Sequence, residues 1–440
     1  MKNRQKPQRA KPQQRKNSHN PRKKVDSVKT FFKNLIFICA LSFAAHCGAQ
    51  VTTIKYSSPA PKGEIPIMAW ASIPANELTD ANFKALKEAG INVNFSFHRF
   101  KNLNDVKRLL KLSAKYNIKS IVTCPELKSN PDSAVKILKS CKGLAGYFLV
   151  DEPHASDFDK LAEWAEKIKK ADSKHLIYLN LFPYFVDPVT LGGTYEDYVE
   201  AFINKVALPF VSWDIYPITT AGIKAEWYKN LEIMRTVCMR KNLPFWSFAL
   251  ATPHTTSITY PTPTIEQLRL QLYTGLAYGS QGLQYFTFWC PPRYDREFDY
   301  HEAPISDEGV RTHVYELIRT VNREIQNRAF VFLGGKVEAV NHLGEPLPED
   351  THPLTTLPQG VDTLNVINGG ITVSQISNKG RRFLVLVNRS WEQPADLNLH
   401  FSAKAKLIRR DGTETSANLY ETLTRIAPGD AAIYEVLPNK

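Results

Sequence analysis

From Ile65 to about Gln326 the chain repeats one unit eight times, a short apolar run followed by an amphipathic segment. The runs are Pro66–Ile73, Ile91–Phe97, Ser120–Pro125, Ala145–Val150, Leu176–Phe182, Phe210–Ile218, Pro244–Leu250 and Gly282–Trp289. They are aromatic or β-branched and lack strict alternation, which is the texture of strands covered on both faces. Between them, segments such as Thr79–Ala89, Leu103–Tyr116, Asp157–Lys170, Tyr195–Lys205, Lys224–Lys241 and Thr264–Tyr278 place apolar residues at helical spacing. Thr79 or Asp80 can cap the first helix, and Gly90 offers its left-handed stop. Eight such units in about 260 residues is the size of an α/β barrel of the (β/α)8, or TIM, type. A doubly wound sheet uses fewer strands, and no GxGxxG follows any run. The sequence therefore predicts a TIM barrel over 65–330.

After Phe330 the period changes. Val361–Val366, Ile371–Ile376, Arg382–Asn388, Ala395–Phe401, Ala405–Arg409 and Ala431–Val436 alternate or are β-branched, with turn signals such as Asn368-Gly-Gly and Asp411-Gly between them. That pattern predicts a small antiparallel β-sandwich over 331–440, with His342–Gln359 as a loop between its layers.

The formal charge is +13, from 56 Lys and Arg against 43 Asp and Glu. Twelve of those cations lie between Met1 and Lys33, opposed only by Asp26, so the body is nearly neutral. No nucleic-acid partner is implied, and a strongly anionic polysaccharide is disfavoured. The apolar run Leu35–Ala45 is too short to span a bilayer, where about 20 residues are needed. A basic head, a short apolar core and small residues before Gln50 describe a signal peptide over 1–49, cleaved after Ala49, with a linker over 50–64. The reading is export to the periplasm or the exterior, with no integral span in the mature chain. Lipidation at Cys47 is the weaker alternative, because His46 stands where a small residue belongs. Beyond the leader, Cys124, Cys141, Cys238 and Cys290 form no CxxC pair, so no zinc site or other cofactor is expected. Both disulfides and buried thiols fit.

In a TIM barrel the reactive groups stand at the C-terminal strand ends. Those ends carry Trp70, then His98 and Arg99, Glu126, Asp151 and Glu152, Asn180, Asp214 and Tyr216, Trp246 and His254, and Trp289. Carboxylates, aromatics and hydrogen-bonding groups on one rim suit a carbohydrate, since aromatic faces stack on sugar C–H surfaces and polar groups read hydroxyls. Trp70, His98, Arg99, Asn180, Tyr216, Trp246, His254 and Trp289 are the candidate sugar contacts, with Asp151. The most specific signal is Gly146-Tyr-Phe-Leu-Val-Asp-Glu-Pro153, an apolar strand that delivers two adjacent carboxylates at its exit. Mutual repulsion should raise one of their pKa values, as a general acid for glycosidic cleavage requires. Asp295, Glu297 and Asp299 alternate in the loop after the last strand, without metal-site spacing.

This stretch resembles the fourth-strand acid/base motif, usually Asn-Glu-Pro, of clan A glycoside hydrolases, with Asp151 in place of the Asn. Phe83–Asn92, Trp213-Asp-Ile-Tyr-Pro217, Gly282–Trp289 and Ile426–Tyr434 are similar to segments of bacterial family 42-like and agarase-like hydrolases. The resemblance implies Glu152 as acid/base. It implies no nucleophile, because the seventh strand, Pro244–His254, lacks the glutamate those enzymes carry there. Asp214, as base on a water in an inverting mechanism, or Glu126 would then be the second carboxylate. Two other classes stay open: a non-catalytic carbohydrate-binding barrel of an uptake system, and a lyase using Tyr216, His98 and Arg99.

Overall fold

The structure, a computed structural model, describes residues 55–440 apart from 97–99, 293–297, 418–422 and 439–440. The leader with Ala49 and Cys47, His98, Arg99, Asp295 and Glu297 therefore lie outside the described residues. Eight parallel strands form the barrel: β1 Ile67–Trp70, β2 Val93–Phe95, β3 Lys119–Val122, β4 Leu144–Asp151, β5 Leu176–Asn180, β6 Val211–Trp213, β7 Phe245–Leu250 and β8 Gly282–Phe286. Their order is β5-β4-β3-β2-β1-β8-β7-β6. A parallel bridge between Leu181 and Trp213, with Leu181 N–H donating to Ser212 O at 2.9 Å, joins β5 to β6 and closes the ring. Helices follow the strands as the periodicity requires. The first, Asp80–Glu88, is capped by Thr79, whose side chain accepts from Asn82 N–H, and Gly90 takes φ +79° just beyond it.

Inside the ring, inward positions from successive strands fill the barrel with rings. Trp70, Phe95, Phe148, Tyr178 and Phe248 meet with centroids 4.6–6.1 Å apart in edge and tilted contacts. Each fully buried side chain of this size stabilises the fold by about 1.5–3 kcal/mol. Lower down, the Trp246 and Phe210 rings meet at 4.9 Å, tilted by 40°, and Trp246 Nε1 donates to Tyr56 Oη at 3.2 Å. From residue 55 onward the stretch read as a linker thus lies across the barrel floor. A cleft of about 830 Å³ opens at that end, between residues 56–64 and 333–337.

The C-terminal region has two antiparallel sheets. Its strands are β9 Lys336–Leu343, β10 Val361–Asn368, β11 Ile371–Asn378, β12 Arg381–Asn388, β13 Ala395–Phe401, β14 Ala405–Ile408, β15 Glu414–Ser416, β16 Thr424–Ile426 and β17 Ala431–Val436. The larger sheet runs β9-β11-β12-β17-β14-β15 and the smaller β10-β13-β16. Strand β9 ends at Leu343, so the start of the expected loop at His342 falls within a strand, and His342 is fully buried. The helix Ile265–Tyr278 is buried at every residue from Gln267 onward. It packs between the barrel and the larger sheet, where Ser374 Oγ donates to Ala277 O at 2.7 Å. Among the described residues no disulfide joins the four cysteines beyond the leader, and all but the half-buried Cys141 are buried. Among the described residues no helix is long and apolar enough to cross a membrane.

Candidate active site

Strand β4 can lie flush against β5 because position 146 is glycine; a Cβ there would sit 2.3 Å from Leu176 O. The strand points Phe148 into the barrel and then slips register against β5, so that Asp151 comes level with Asn180. Glu152 follows with φ +44°, a left-handed conformation that costs a residue with a Cβ about 1–3 kcal/mol. Both sides of that turn are pinned. Glu152 N–H donates to Asn180 O at 2.8 Å, and Tyr198 Oη donates to Pro153 O at 2.7 Å. Strained backbone held this firmly aims the Glu152 side chain across the mouth.

It meets Asp214, one residue past β6. The two carboxyls shift each other, Asp214 pushing the Glu152 pKa up and Glu152 holding that of Asp214 down. Asn180 Nδ2 donates to Asp214 Oδ1 at 2.6 Å. Burial raises the pKa of both acids, and the charges of Asp214 and Asp151 push Glu152 further up. The donors from Asn180 and Tyr216 restrain the rise of Asp214. Asp151 is pushed up to about 7, first by burial and then by the charge of Asp214, against a hydrogen bond from Asn180. Asp151 and Glu152 are half-buried, open to the mouth, while Asp214 is buried. Three acids thus crowd one wall with protons to spare at neutral pH, which is the state a proton donor needs.

The opposite wall, from the ends of β7 and β8, carries no carboxylate among the described residues at strand seven. Thr252 Oγ1 pairs with Thr287 Oγ1 at 2.8 Å. His254 stacks on Tyr260 at 4.6 Å and lies 5.0 Å from Tyr300. Its Nδ1 donates to Thr252 O at 2.9 Å, leaving Nε2 as the lone-pair nitrogen, and burial holds its pKa below the usual histidine range. Tyr216 links the walls, its ring edge-on to Tyr260 at 6.2 Å and 5.1 Å from Phe286.

So the structure brings together Asp151, Glu152, Asn180, Asp214 and Tyr216, with His254 facing them. It corrects other expectations. Glu126 stands apart, because the chain turns into the short helix Pro125–Ser129 immediately after β3. There its carboxylate accepts from Leu103 N–H at 3.2 Å and is held below the usual range by its own backbone N–H and that of Leu103. Trp246 opens β7 rather than closing it, which buries it at the floor, far end from the mouth. Trp70, 3% exposed, is a core ring beneath the carboxyls, and Trp289, 4% exposed, packs under the loop near Gly309. None of the three tryptophans presents a free face to a sugar. Three groups behind the site went unread in the sequence: Tyr178, Ser212 and Gln284, all buried. Tyr178 and Asn180, like Ser212 and Asp214, are two apart on one strand face, and Gln284 is the polar residue of an apolar strand, which is the signal they leave. Among the described residues no group of three His, Cys, Asp or Glu is placed to hold a metal ion.

No family model and no curated protein matches the chain. Among solved structures the chain is similar to an α-amylase from Anoxybacillus, at 12% identity and a TM-score of 0.48 over 86% of this chain and 98% of that one. It is also similar to a putative α-L-fucosidase from Bacteroides thetaiotaomicron, at 12% identity and a TM-score of 0.42 over 60% of this chain and 97% of that one. Xylanase 10B from Thermotoga maritima is similar at 11% identity and a TM-score of 0.43, over 61% of this chain and 98% of that one.

Proposed function

We propose that the protein hydrolyses glycosidic bonds of an oligo- or polysaccharide, with Glu152 protonating the leaving oxygen and Asp214 as the second carboxylate. The observation that carries this reading is the meeting of three acids at the barrel mouth: Glu152 is pinned by its N–H to Asn180 O, Asn180 in turn donates to Asp214, and burial with the charges of Asp214 and Asp151 pushes the Glu152 pKa up. A half-buried carboxylic acid with a raised pKa can give its proton to a glycosidic oxygen. A neighbouring carboxylate held ionised by Asn180 and Tyr216 can face the positive charge that develops at the anomeric carbon. Asp151 adds negative potential on the same wall.

The separation also bears on stereochemistry. Inversion needs about 6.5–9.5 Å between the two carboxyls to admit a water, and retention about 5–5.5 Å. The anomeric form of the first product decides between the two, and so between the inverting role read from the sequence for Asp214 and a nucleophilic one. Glu126, held ionised by backbone donors at a helix start, is a poor proton donor and lies outside this contact. A phenolate base of the lyase kind is disfavoured too, since burial and the charge of Asp214 push the Tyr216 phenol up. The reading includes export, supported by the basic head and apolar run of the leader; N-terminal sequencing of the secreted form checks cleavage after Ala49.

The absence of a strand-seven carboxylate favours one rival, a barrel that binds sugar without cleaving it. A screen of the purified protein on plant, algal and host glycans, followed by chromatography of the products, separates the two. Release that is lost in Glu152→Gln supports the hydrolase, and proton NMR of the first product gives its anomeric form. Saturable binding with no release from any glycan sinks it.

A further inference from the structure

Behind the carboxyl pair runs a hydrogen-bond chain in which each link donates toward Asp214. Tyr178 Oη donates to Gln284 Oε1 at 2.6 Å, and Gln284 Nε2 donates to Ser212 Oγ at 2.9 Å. Ser212 Oγ donates to Asn180 Oδ1 at 2.9 Å, and Asn180 Nδ2 donates to Asp214 Oδ1 at 2.6 Å. The four residues come from β5, β6 and β8, so the chain crosses the inside of the barrel. We infer that Ser212 and Gln284 are positioning residues that fix the Asn180 amide with its NH2 toward Asp214, and thereby favour the charged form of that carboxyl. This rests on the acid/base reading of the pair given above.

The argument is one of donor counting. A primary amide has a donating end and an accepting end, and turned over, Asn180 would set its carbonyl oxygen against the Asp214 carboxylate. What prevents this is Ser212, which has a single proton. Its oxygen accepts from Gln284 and also lies 3.0 Å from Tyr178 Oη, whose own proton goes to Gln284, so the Ser212 proton has Asn180 Oδ1 and Tyr178 Oη as acceptors; given to Asn180 Oδ1 at 2.9 Å, it holds the amide with Nδ2 toward Asp214. Gln284 is held the same way, since its own oxygen receives the Tyr178 proton. Tyr178, Asn180, Ser212 and Gln284 are each at most 2% exposed, so water does not compete for these bonds. In such surroundings successive bonds polarise one another, and a donor to a carboxylate favours its charged form. With Asp214 favoured as the anion, its charge pushes the Glu152 pKa up.

The other titratable groups facing the pair are Asp151 from β4, Tyr178 from β5, Tyr195 and Tyr198 from the helix Tyr195–Lys205, Tyr216 beyond β6, and His254 across the mouth, whose pKa burial lowers. Burial pushes all four phenols up, so they stay neutral, and the charge balance is set among the three acids.

The test is a carbon-13 NMR titration of the side-chain carboxyls in purified protein labelled at Asp and Glu, with no substrate present. Ser212→Ala frees the amide to turn, and the Asp214 step should move up by about one to two pH units, the worth of one charge-assisted hydrogen bond. Ser212→Thr, which keeps the hydroxyl, should leave the step in place, and Gln284→Met should move it in the same direction by less. If Ser212→Ala does not fold, Gln284→Met and Tyr178→Phe carry the test, and a merely structural role would lower their melting temperature without moving the titration. With a cleaved glycan in hand, the acid limb of kcat should follow the Asp214 step. A moved titration with no glycan cleaved sinks the hydrolase and keeps the positioning role. Cleavage with an unmoved titration in folded Ser212→Ala or Gln284→Met overturns the positioning role and keeps the hydrolase.

Discussion

The two ends of the barrel are built from the same eight strands and do opposite things with them. At the floor, Phe210 and Trp246 lie at the start of their strands, pack against each other as tilted rings and close against Tyr56 through a hydrogen bond from Trp246. At the mouth, the same β6 goes on to Asp214, and β4 ends in Asp151 and a strained Glu152. The floor gains stability from buried rings. The mouth gives some up, burying three acids whose charged forms burial disfavours. This contrast says where the molecule is built for persistence and where for chemistry, in keeping with strain and perturbed acids gathering at functional sites.

The largest break in the comparison should come from Glu152→Gln. It should lower turnover of any cleaved glycan by about 10²–10⁴-fold, the usual contribution of a general acid, with the circular dichroism unchanged. A loss of less than tenfold would remove Glu152 from that role. At the other end, Trp246→Ala should cost about 3–5 kcal/mol in urea unfolding, the range for deleting a buried aromatic, and leave KM unchanged in the folded protein. A raised KM would put Trp246 in the sugar site after all.

A subtler contrast is in pH. The folded pKa values of Asp151, Glu152 and Asp214 are raised, so between the ordinary carboxylate range and those raised values the folded state holds more protons than the unfolded chain. Stability must then fall as pH rises through that window. Glu152→Gln removes the most strongly raised acid, so scanning calorimetry should show the variant melting above wild type at pH 8, with the gap closing toward pH 4. A variant less stable than wild type at pH 8 would contradict the sign. The smallest effect belongs to Tyr56→Phe, which loses one hydrogen bond at the floor, about 1 kcal/mol, with no change in activity.

The strand-helix alternation made the barrel legible, because burial on both sheet faces and helical periodicity each leave a local pattern. Glu152 was legible as well, since two adjacent acids at the exit of an apolar strand have no local reason to be there. Trp70, Trp246 and Trp289 were misread because a tryptophan near a strand end looks the same in sequence whether it stacks on a ligand or fills the core; only its height along the barrel and its neighbours decide. Glu126 was misplaced for a related reason, since a one-turn helix directly after β3 redirects the side chain toward a backbone N–H.

The sequence by itself determined the element types, the barrel followed by an antiparallel region, and the acids at the end of β4. These follow from periodicities and adjacent residues, which act over a few positions. The tertiary structure alone decided that Asp214 comes to the same wall as Glu152, that Asn180 Nδ2 donates to it, and that Ser212 and Gln284 line up behind that amide. Those partners lie 32 to 106 residues apart in the chain where they are hydrogen-bonded. Only closure of the ring carries inward-facing positions of β5, β6 and β8 into a shared, water-free interior, and no local pattern encodes which of them will meet.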